Sequence, residues 1–281
     1  MNRLRELQQR RNLDCRDQWL SYAEHRHQVM QQLAKSAGGR LCILGAGNCN
    51  DIDLASLLAA FNEVHLVDLD ATALADGVAR QSVEDERLHA YGDVEVTGVW
   101  ELLEQVAADG LEVTRADLLA QSLADAPALP MPGPFDCVVS LCLLSQLIDA
   151  VSEACGRDDS RVNDLVLKAR DQHLRLLAEL TTQGGTSVLV SDFVSSDTCP
   201  ELLTIPSSDL PRAAQQALAT GNFFTGLNPA AIASRIAKDP TMFERFGHPR
   251  IAAPWRWRLG DRMFAVFAMH WSRQSNSAPD C

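Results

Sequence analysis

The chain has 281 residues, of which 46% are hydrophobic, and a formal net charge of −12 from 25 Lys and Arg against 37 Asp and Glu. That is enough apolar material for a full single-domain core with an appendage, and the acidic balance argues against a general nucleic-acid binder, which needs clustered Lys and Arg. No apolar run approaches the roughly 18 to 20 residues that span a bilayer, and the Arg-rich start lacks a signal-peptide apolar stretch, so a cytoplasmic protein without membrane contact is expected.

In chain order, Trp19, Tyr22, Ala23, Arg26, Met30 and Leu33 recur at helical spacing in an N-terminal arm that Gly38-Gly39 stops. Leu41 to Leu44 reads as a buried strand ending at Gly45-Ala46-Gly47, a turn whose backbone can pass close to a ligand. A helix is expected from near Asp51, with Ile52, Leu54, Ala55, Leu57, Leu58 and Phe61 on its apolar face. Val64 to Val67 is the next strand and delivers Asp68 to its carboxyl end, where an acid can accept both hydroxyls of an adenosine ribose.

Helices are then expected over Ala71 to Asp85 and Thr97 to Ala108, flanking the acidic segment of Asp93 and Glu95. Asp117 lies in a second acidic segment, so one of the two is an insertion; the ordinary helix length before Asp93 favours 93–95 as the functional one. A proline-rich loop, Pro127 to Pro134, precedes the strand Phe135 to Leu141. Val162 to Leu180 is an amphipathic helix ending at Gly184-Gly185, and Thr186 to Phe193 a fifth strand. Ser195 to Asn228 intervenes before a helix with Asn228 as N-cap and Pro229 at its first position. Phe223 and Phe224 in that stretch either line a pocket or pack beneath it. Trp255 to Leu259, the turn Gly260-Asp261 and Met263 to Trp271 read as a hairpin.

The turn separates two ligand classes. The dinucleotide fingerprint G-x-G-x-x-G sets a pyrophosphate on a helix N-terminus, but here the third glycine position is Asn50, followed by the carboxylate of Asp51, which repels phosphate. S-adenosylmethionine has no phosphate and carries cationic groups. The stretch Leu41 to Asp70 thus resembles motifs I and II of the class I S-adenosylmethionine-dependent methyltransferases, and the Phe-Asp-Cys-Val run from Phe135 resembles their motif IV. A terminal antiparallel hairpin is what that family adds. The resemblance runs from Arg40 to the C-terminus. It departs at Ile43, where many members have an acid two residues before the first glycine; Asn48, Asn50, Asp51 and Asp53 are possible replacements.

The resemblance implies an α/β fold: a seven-stranded, mostly parallel sheet with helices on both faces, a C-terminal antiparallel hairpin and an N-terminal helical arm. Residues 1–39 would form the arm or lid and 40–281 the methyltransferase-like domain, with 195–228 a cap insertion. It implies S-adenosylmethionine as cofactor, held by Gly45, Ala46, Gly47, Asn48, Asp68, Leu69, Asp93, Glu95, Ser140 and Leu141. Substrate-pocket candidates are Tyr22, His25, His27, Ser145 and Asp192, with Asp192 or His27 as a base if the acceptor needs one. Cys142 has no visible activating partner and reads as a packing residue.

The expected activity is methyl transfer to a small-molecule acceptor by in-line displacement. The alternatives are a nicotinamide-dependent oxidoreductase of Rossmann type and a non-catalytic S-adenosylmethionine-binding protein. Arginines crowd the start (Arg3, Arg5, Arg10, Arg11, Arg16) and the end (Arg245, Arg250, Arg256, Arg258, Arg262, Arg273), either as solvated surface or to meet an anionic substrate or an RNA. Ser140 to Leu147 lacks the Asn/Asp-Pro-Pro-Tyr/Phe of amino-directed DNA methyltransferases, and no nucleic-acid partner is expected. Among the eight cysteines there is no C-x-x-C, so no metal is expected either. Oligomeric state is left open.

Overall fold

The computed structural model describes residues 2–272, which places Arg273 outside the described residues. Two helices come first, Arg3–Cys15 (α1) and Ala23–Leu33 (α2). α1 buries only Leu4 and Gln8, so polar contacts rather than an apolar face must hold it. α2 continues a buried stripe of Tyr22, His25, Val29 and Leu33, spaced three and four apart. Tyr22 and Leu33 belong to the face first expected, but His25 and Val29 complete the stripe where Ala23, which is exposed, and Met30, which is half-buried, were expected. Trp19 and Arg26 lie half-buried beside it, with the Arg26 guanidinium stacked 3.5 Å over the Trp19 ring.

β1 (Arg40–Leu44), α3 (Leu54–Ala60), β2 (Glu63–Val67), α4 (Ala71–Arg80) and β3 (Leu88–Tyr91) follow as two parallel crossover units. α3 starts three residues later than expected, because the Asp53 carboxylate caps it by accepting from Ser56 N at 2.7 Å. Next come α5 (Trp100–Asp109), α6 (Val113–Ser122), β4 (Phe135–Leu141), α7 (Leu143–Cys155), α8 (Val162–Leu180) and β5 (Thr181–Ser195). α8 spans Val162–Leu180 as expected, but Gly184-Gly185 do not form its stop. Those glycines bulge out of β5, where Phe135 pairs with Thr181 but Cys137 with Thr186. The chain closes with α9 (Leu210–Ala219), α10 (Pro229–Lys238), α11 (Pro240–Phe246), β6 (Arg250–Ile251), β7 (Trp255–Leu259) and β8 (Arg262–Ser272). Asn228 caps α10 through Ala230 N and Ala231 N, as its position before Pro229 predicts.

The sheet runs β3-β2-β1-β4-β5-β8-β6, parallel through β5, with β8 antiparallel to it and β7 alongside β8. Eight segments fill the seven expected positions, because the outermost strand is interrupted at residues 252–254, where Pro254 has no N–H to give the ladder. Side chains alternate between two cores. Cys42, Leu44, Phe135, Val138 and Leu189 face α5, α7 and α8, whereas Leu41, Ile43, Cys137, Val139 and Val188 face α2 and α3. Both faces are covered, which is why the strands read as unbroken apolar runs. Among the described residues no helix is long and apolar enough to cross a membrane.

Candidate functional site

A narrow cleft, with a cavity volume of about 40 Å³, opens at the carboxyl ends of β1 and β2, walled by Gly45, Asp68, Leu69, Asp70, Val94, Glu95 and Val96, by Leu143, Gln146 and Leu147 of α7, and by Trp100. Gln8 and Asn12 of α1 form its roof.

The glycine turn is tied to Asp68. Gly47 N donates to Asp68 Oδ2 at 2.7 Å and Asp70 N to Oδ1 at 2.9 Å. Burial raises the Asp68 carboxyl to about 6, against the lowering effect of these two amides. Gly45 needs to be glycine twice over: its φ is +83°, and a Cβ there would lie 2.8 Å from Leu143 Cβ. The turn's other amides are also used internally: Gly45 N and Ala46 N both donate to Val67 O, and Cys49 N to Ala46 O.

Asn48 and Asn50 have a role that sequence reasoning missed. Asn48 Nδ2 donates to Asn12 O at 2.6 Å and Asn50 Nδ2 to Cys15 O at 2.7 Å, so the two amides catch carbonyls of the last turn of α1. At the other end, Glu104 of α5 accepts from Arg5 N at 2.9 Å, and in the middle Asn12 Nδ2 donates to Asp70 Oδ2 at 3.1 Å. Arg5, Arg11 and Arg16 pair with Asp93, Asp149 and Asp76 of the body. Much of the N-terminal arginine cluster is therefore a clamp for the roof. The only sequence signal for it was that α1 is charged and polar yet faces a body rich in acids.

The remaining cofactor candidates divide. Leu69 and Glu95 line the cleft, although Glu95 spends its carboxylate on Thr97 N, Thr97 Oγ1 and Gly98 N. Asp93 does not; it is exposed, with φ at +56°, and pairs with Arg5. Asp117 sits exposed on α6, away from the cleft, so 93–95 is the segment beside it and α6 the extra element. Ala46 and Leu141 are core residues, and the Ser140 hydroxyl is 2.8 Å from His173 Nε2. Alternation sends Ser140 beneath the sheet, and the cleft is met instead by Leu143, Gln146 and Leu147 one turn later. Burial lowers His173 to about 4, so that imidazole is neutral.

A second cluster lies where α2 meets β7. Trp255 Nε1 donates to His25 Nδ1 at 3.0 Å, and the His25 ring stacks on Trp257 at 4.8 Å with Tyr22 edge-on to the same indole. His25 Nε2 lies 3.1 Å from Asp51 Oδ1 and 4.0 Å from Cys142 Sγ. Cys142 has φ at +48° and a thiol pushed well above its ordinary range by burial, which disfavours the thiolate. Ser145 Oγ donates to Asp192 Oδ1 at 2.6 Å, and burial raises the Asp192 carboxyl against that bond. Of the substrate-pocket candidates the fold thus brings together Tyr22 with His25 and Ser145 with Asp192. His27 is exposed on the side of α2 away from the buried stripe, and its ring bonds Gln31 one turn along. Phe223 and Phe224 are half-buried and pack on the core, with Phe224 edge-on to Phe264.

The chain matches no protein-family model and no curated protein. Solved structures do resemble it. The N-methyltransferase NodS from Bradyrhizobium japonicum WM9 superposes with a TM-score of 0.45 at 10% identity, covering 91% of this chain and 97% of that one. The magnesium protoporphyrin IX methyltransferase ChlM from Synechocystis PCC 6803, with bound S-adenosylhomocysteine, gives 0.43 at 12%, covering 89% and 84%. An rRNA methylase from Streptococcus thermophilus gives 0.41 at 12%, covering 89% and 96%. At such identities and TM-scores these likenesses carry no argument about this chain, whose own sheet has five parallel strands in the order 3-2-1-4-5, then an antiparallel final strand inserted before the penultimate one. What this cleft does must therefore be argued from its own residues.

Proposed function

We propose that the chain binds S-adenosylmethionine in this cleft and transfers its methyl group to a small-molecule acceptor. The observation that carries this reading is the state of the glycine turn. A pyrophosphate needs free backbone N–H groups there, whereas Gly45, Ala46, Gly47 and Cys49 all donate inside the protein, and the start of α3 is closed by the Asp53 carboxylate. A phosphate-free nucleoside with a cationic sulfonium fits the same place, because Asp68, Asp70 and Glu95 line it.

In this reading Asp68 receives the ribose, Leu69, Val94 and Val96 flank the base, and the buried indole N–H of Trp100, which has no hydrogen-bond partner among the described residues, supplies a donor in the wall. When bound, S-adenosylmethionine supplies an electrophilic methyl group. The chain's own work is alignment and exclusion of water, and α1 closing over the cleft through Gln8 and Asn12 serves both. On the acceptor side, Asp192 can take a proton relayed by Ser145, and its burial-raised affinity suits that task. Trp255 fixes His25 Nδ1 as an acceptor, which leaves Nε2 carrying the proton beside Asp51. A small acceptor is favoured over a nucleic acid because Arg5, Arg11, Arg16 and Arg262 each hold an acid of this chain rather than an open cationic face.

Thermal unfolding with S-adenosylhomocysteine and with nicotinamide dinucleotides tests the cofactor: the first should raise the midpoint and the second should not. Stabilisation by a dinucleotide alone overturns the reading. Turnover of S-adenosylmethionine that depends on an added metabolite pool separates an enzyme from a non-catalytic binder.

A further inference from the structure

The amino-terminal half of β2 and its neighbour β3 carry a side-chain cluster that the cleft does not use. Glu63 and His65, two residues apart, point to one face of the sheet, and His89 is the register partner of His65 on β3, so its side chain joins them. One ligand-type atom from each of the three lies within 4.8 Å of the others. The two imidazoles stack with centroids 4.5 Å apart, and His65 Nε2 lies 3.2 Å from Glu63 Oε2. We propose that Glu63, His65 and His89 form a binding site for a divalent transition-metal ion of the zinc type, separate from the cleft.

The chemistry of the donors and their surroundings supports this. Two imidazole nitrogens and one carboxylate oxygen are a zinc-type set, with a fourth position left to water. His65 is almost fully buried, and its Nδ1 lies 3.3 Å from the Tyr91 hydroxyl, two residues along β3 from His89. A proton on Nδ1 donated to Tyr91 leaves the Nε2 lone pair facing Glu63, the kind of outer contact that orients metal-bound histidines. Glu63 is half-exposed, which gives the ion a route in from solvent. Arg40 is the competing cation, with Nε 2.8 Å from Glu63 Oε2, but its two other nitrogens are held by Pro134 O and Pro132 O, and Glu63 Oε1 remains available for the ion. His65 precedes Asp68 by three residues on a strand that advances about 3.3 Å per residue, so the site lies some ~10 Å below the cleft.

The test is metal titration of the whole chain after treatment with a chelator, using zinc for stoichiometry and cobalt for ligand type. One zinc per chain should bind, and cobalt should show the weak visible bands of nitrogen and oxygen ligands without intense thiolate absorption. The half-buried His89→Ala variant should lose at least tenfold in zinc affinity while keeping the parent's thermal response to S-adenosylhomocysteine, which shows that it is folded. No binding by the parent, unchanged affinity in His89→Ala, or a thiolate spectrum from the chain's cysteines each overturns the proposal. If His89→Ala fails to fold, Glu63→Gln, which stands on the exposed side of the cluster, must show the same loss for the proposal to stand.

Discussion

The Asn50 side chain leaves the glycine turn and donates to the Cys15 carbonyl at 2.7 Å, while its own oxygen accepts from Arg80 Nη1 at 2.8 Å. One buried amide thus joins the last turn of α1, the ligand turn and the end of α4. The residue that replaces the third glycine of a dinucleotide fingerprint is the residue that fastens the roof.

Removing that amide should loosen the roof before anything else. Asn50→Ala removes two hydrogen bonds, leaving the Cys15 carbonyl with Gln18 N alone and Arg80 Nη1 with the Asn48 carbonyl at 3.5 Å, a cost of about 1 to 3 kcal/mol. Because α1 has almost no apolar face, the loss should fall on residues 3–15 rather than on the sheet. Hydrogen exchange should show faster amides there and unchanged protection in β1, β4 and β5. Uniform loss across the chain would show that the latch is not local.

Truncation should separate the two arm helices. Deleting residues 2–16 removes the roof but leaves Tyr22, His25, Val29 and Leu33 packed on Trp257 and the sheet, so the chain should stay folded and bind S-adenosylhomocysteine at least tenfold more weakly. Deleting through Ala37 also uncovers that cluster and the Gln32 partner of His270, and should cost several kcal/mol of stability, each buried large side chain contributing about 1.5 to 3 kcal/mol. Circular dichroism melting and calorimetric titration on both truncations distinguish these outcomes. A short truncation with unaltered affinity would remove α1 from the site.

The Asp68 carboxyl, raised to about 6 by burial, gives a pH signature. An acid whose folded-state value is raised favours its protonated form in the native chain, so its share of stability is full below about 3.9 and is lost as pH rises toward 6. Ligand binding runs the other way. Ribose hydroxyls donate to the carboxylate, so affinity for S-adenosylhomocysteine should be full above pH 6 and fall about tenfold per unit below it. Asp68→Asn should weaken binding at neutral pH by about 1.5 to 3 kcal/mol and flatten the dependence. A parallel pH slope in the variant would assign the titration to another group.

Gly77→Ala should destabilise although alanine is the better helix former by about 1 kcal/mol. A Cβ at Gly77 in α4 would lie 2.4 Å from the Asn48 carbonyl oxygen, a backbone atom that cannot rotate away. Relieving the overlap moves the turn that carries Asn48 and Asn50, at about 1 to 3 kcal/mol. Chemical denaturation would read the sign directly, and a stabilised variant would refute the close approach.

The sequence by itself determined the order of the elements, because buried parallel strands and their covering helices write their periods into the chain: β1, β2, β4 and the terminal hairpin stand where apolar runs and turn residues put them, and α8 and the Asn228 cap fall at the expected residues. It determined the glycine turn and the acid after β2 for the same reason, since both depend on local backbone and strand end. It did not determine what closes the cleft. α1 has no apolar stripe to read, and its hold comes from single polar bonds to Asn48, Asn50, Asp70 and Glu104, partners separated from it by 35 to 99 positions. Nor could it say that Ser140 turns beneath the sheet toward His173, that His27 stays in solvent, or that Glu63, His65 and His89 converge. Those depend on strand register and helix rotation, which the packing of distant elements decides and which a one-residue change of phase reverses.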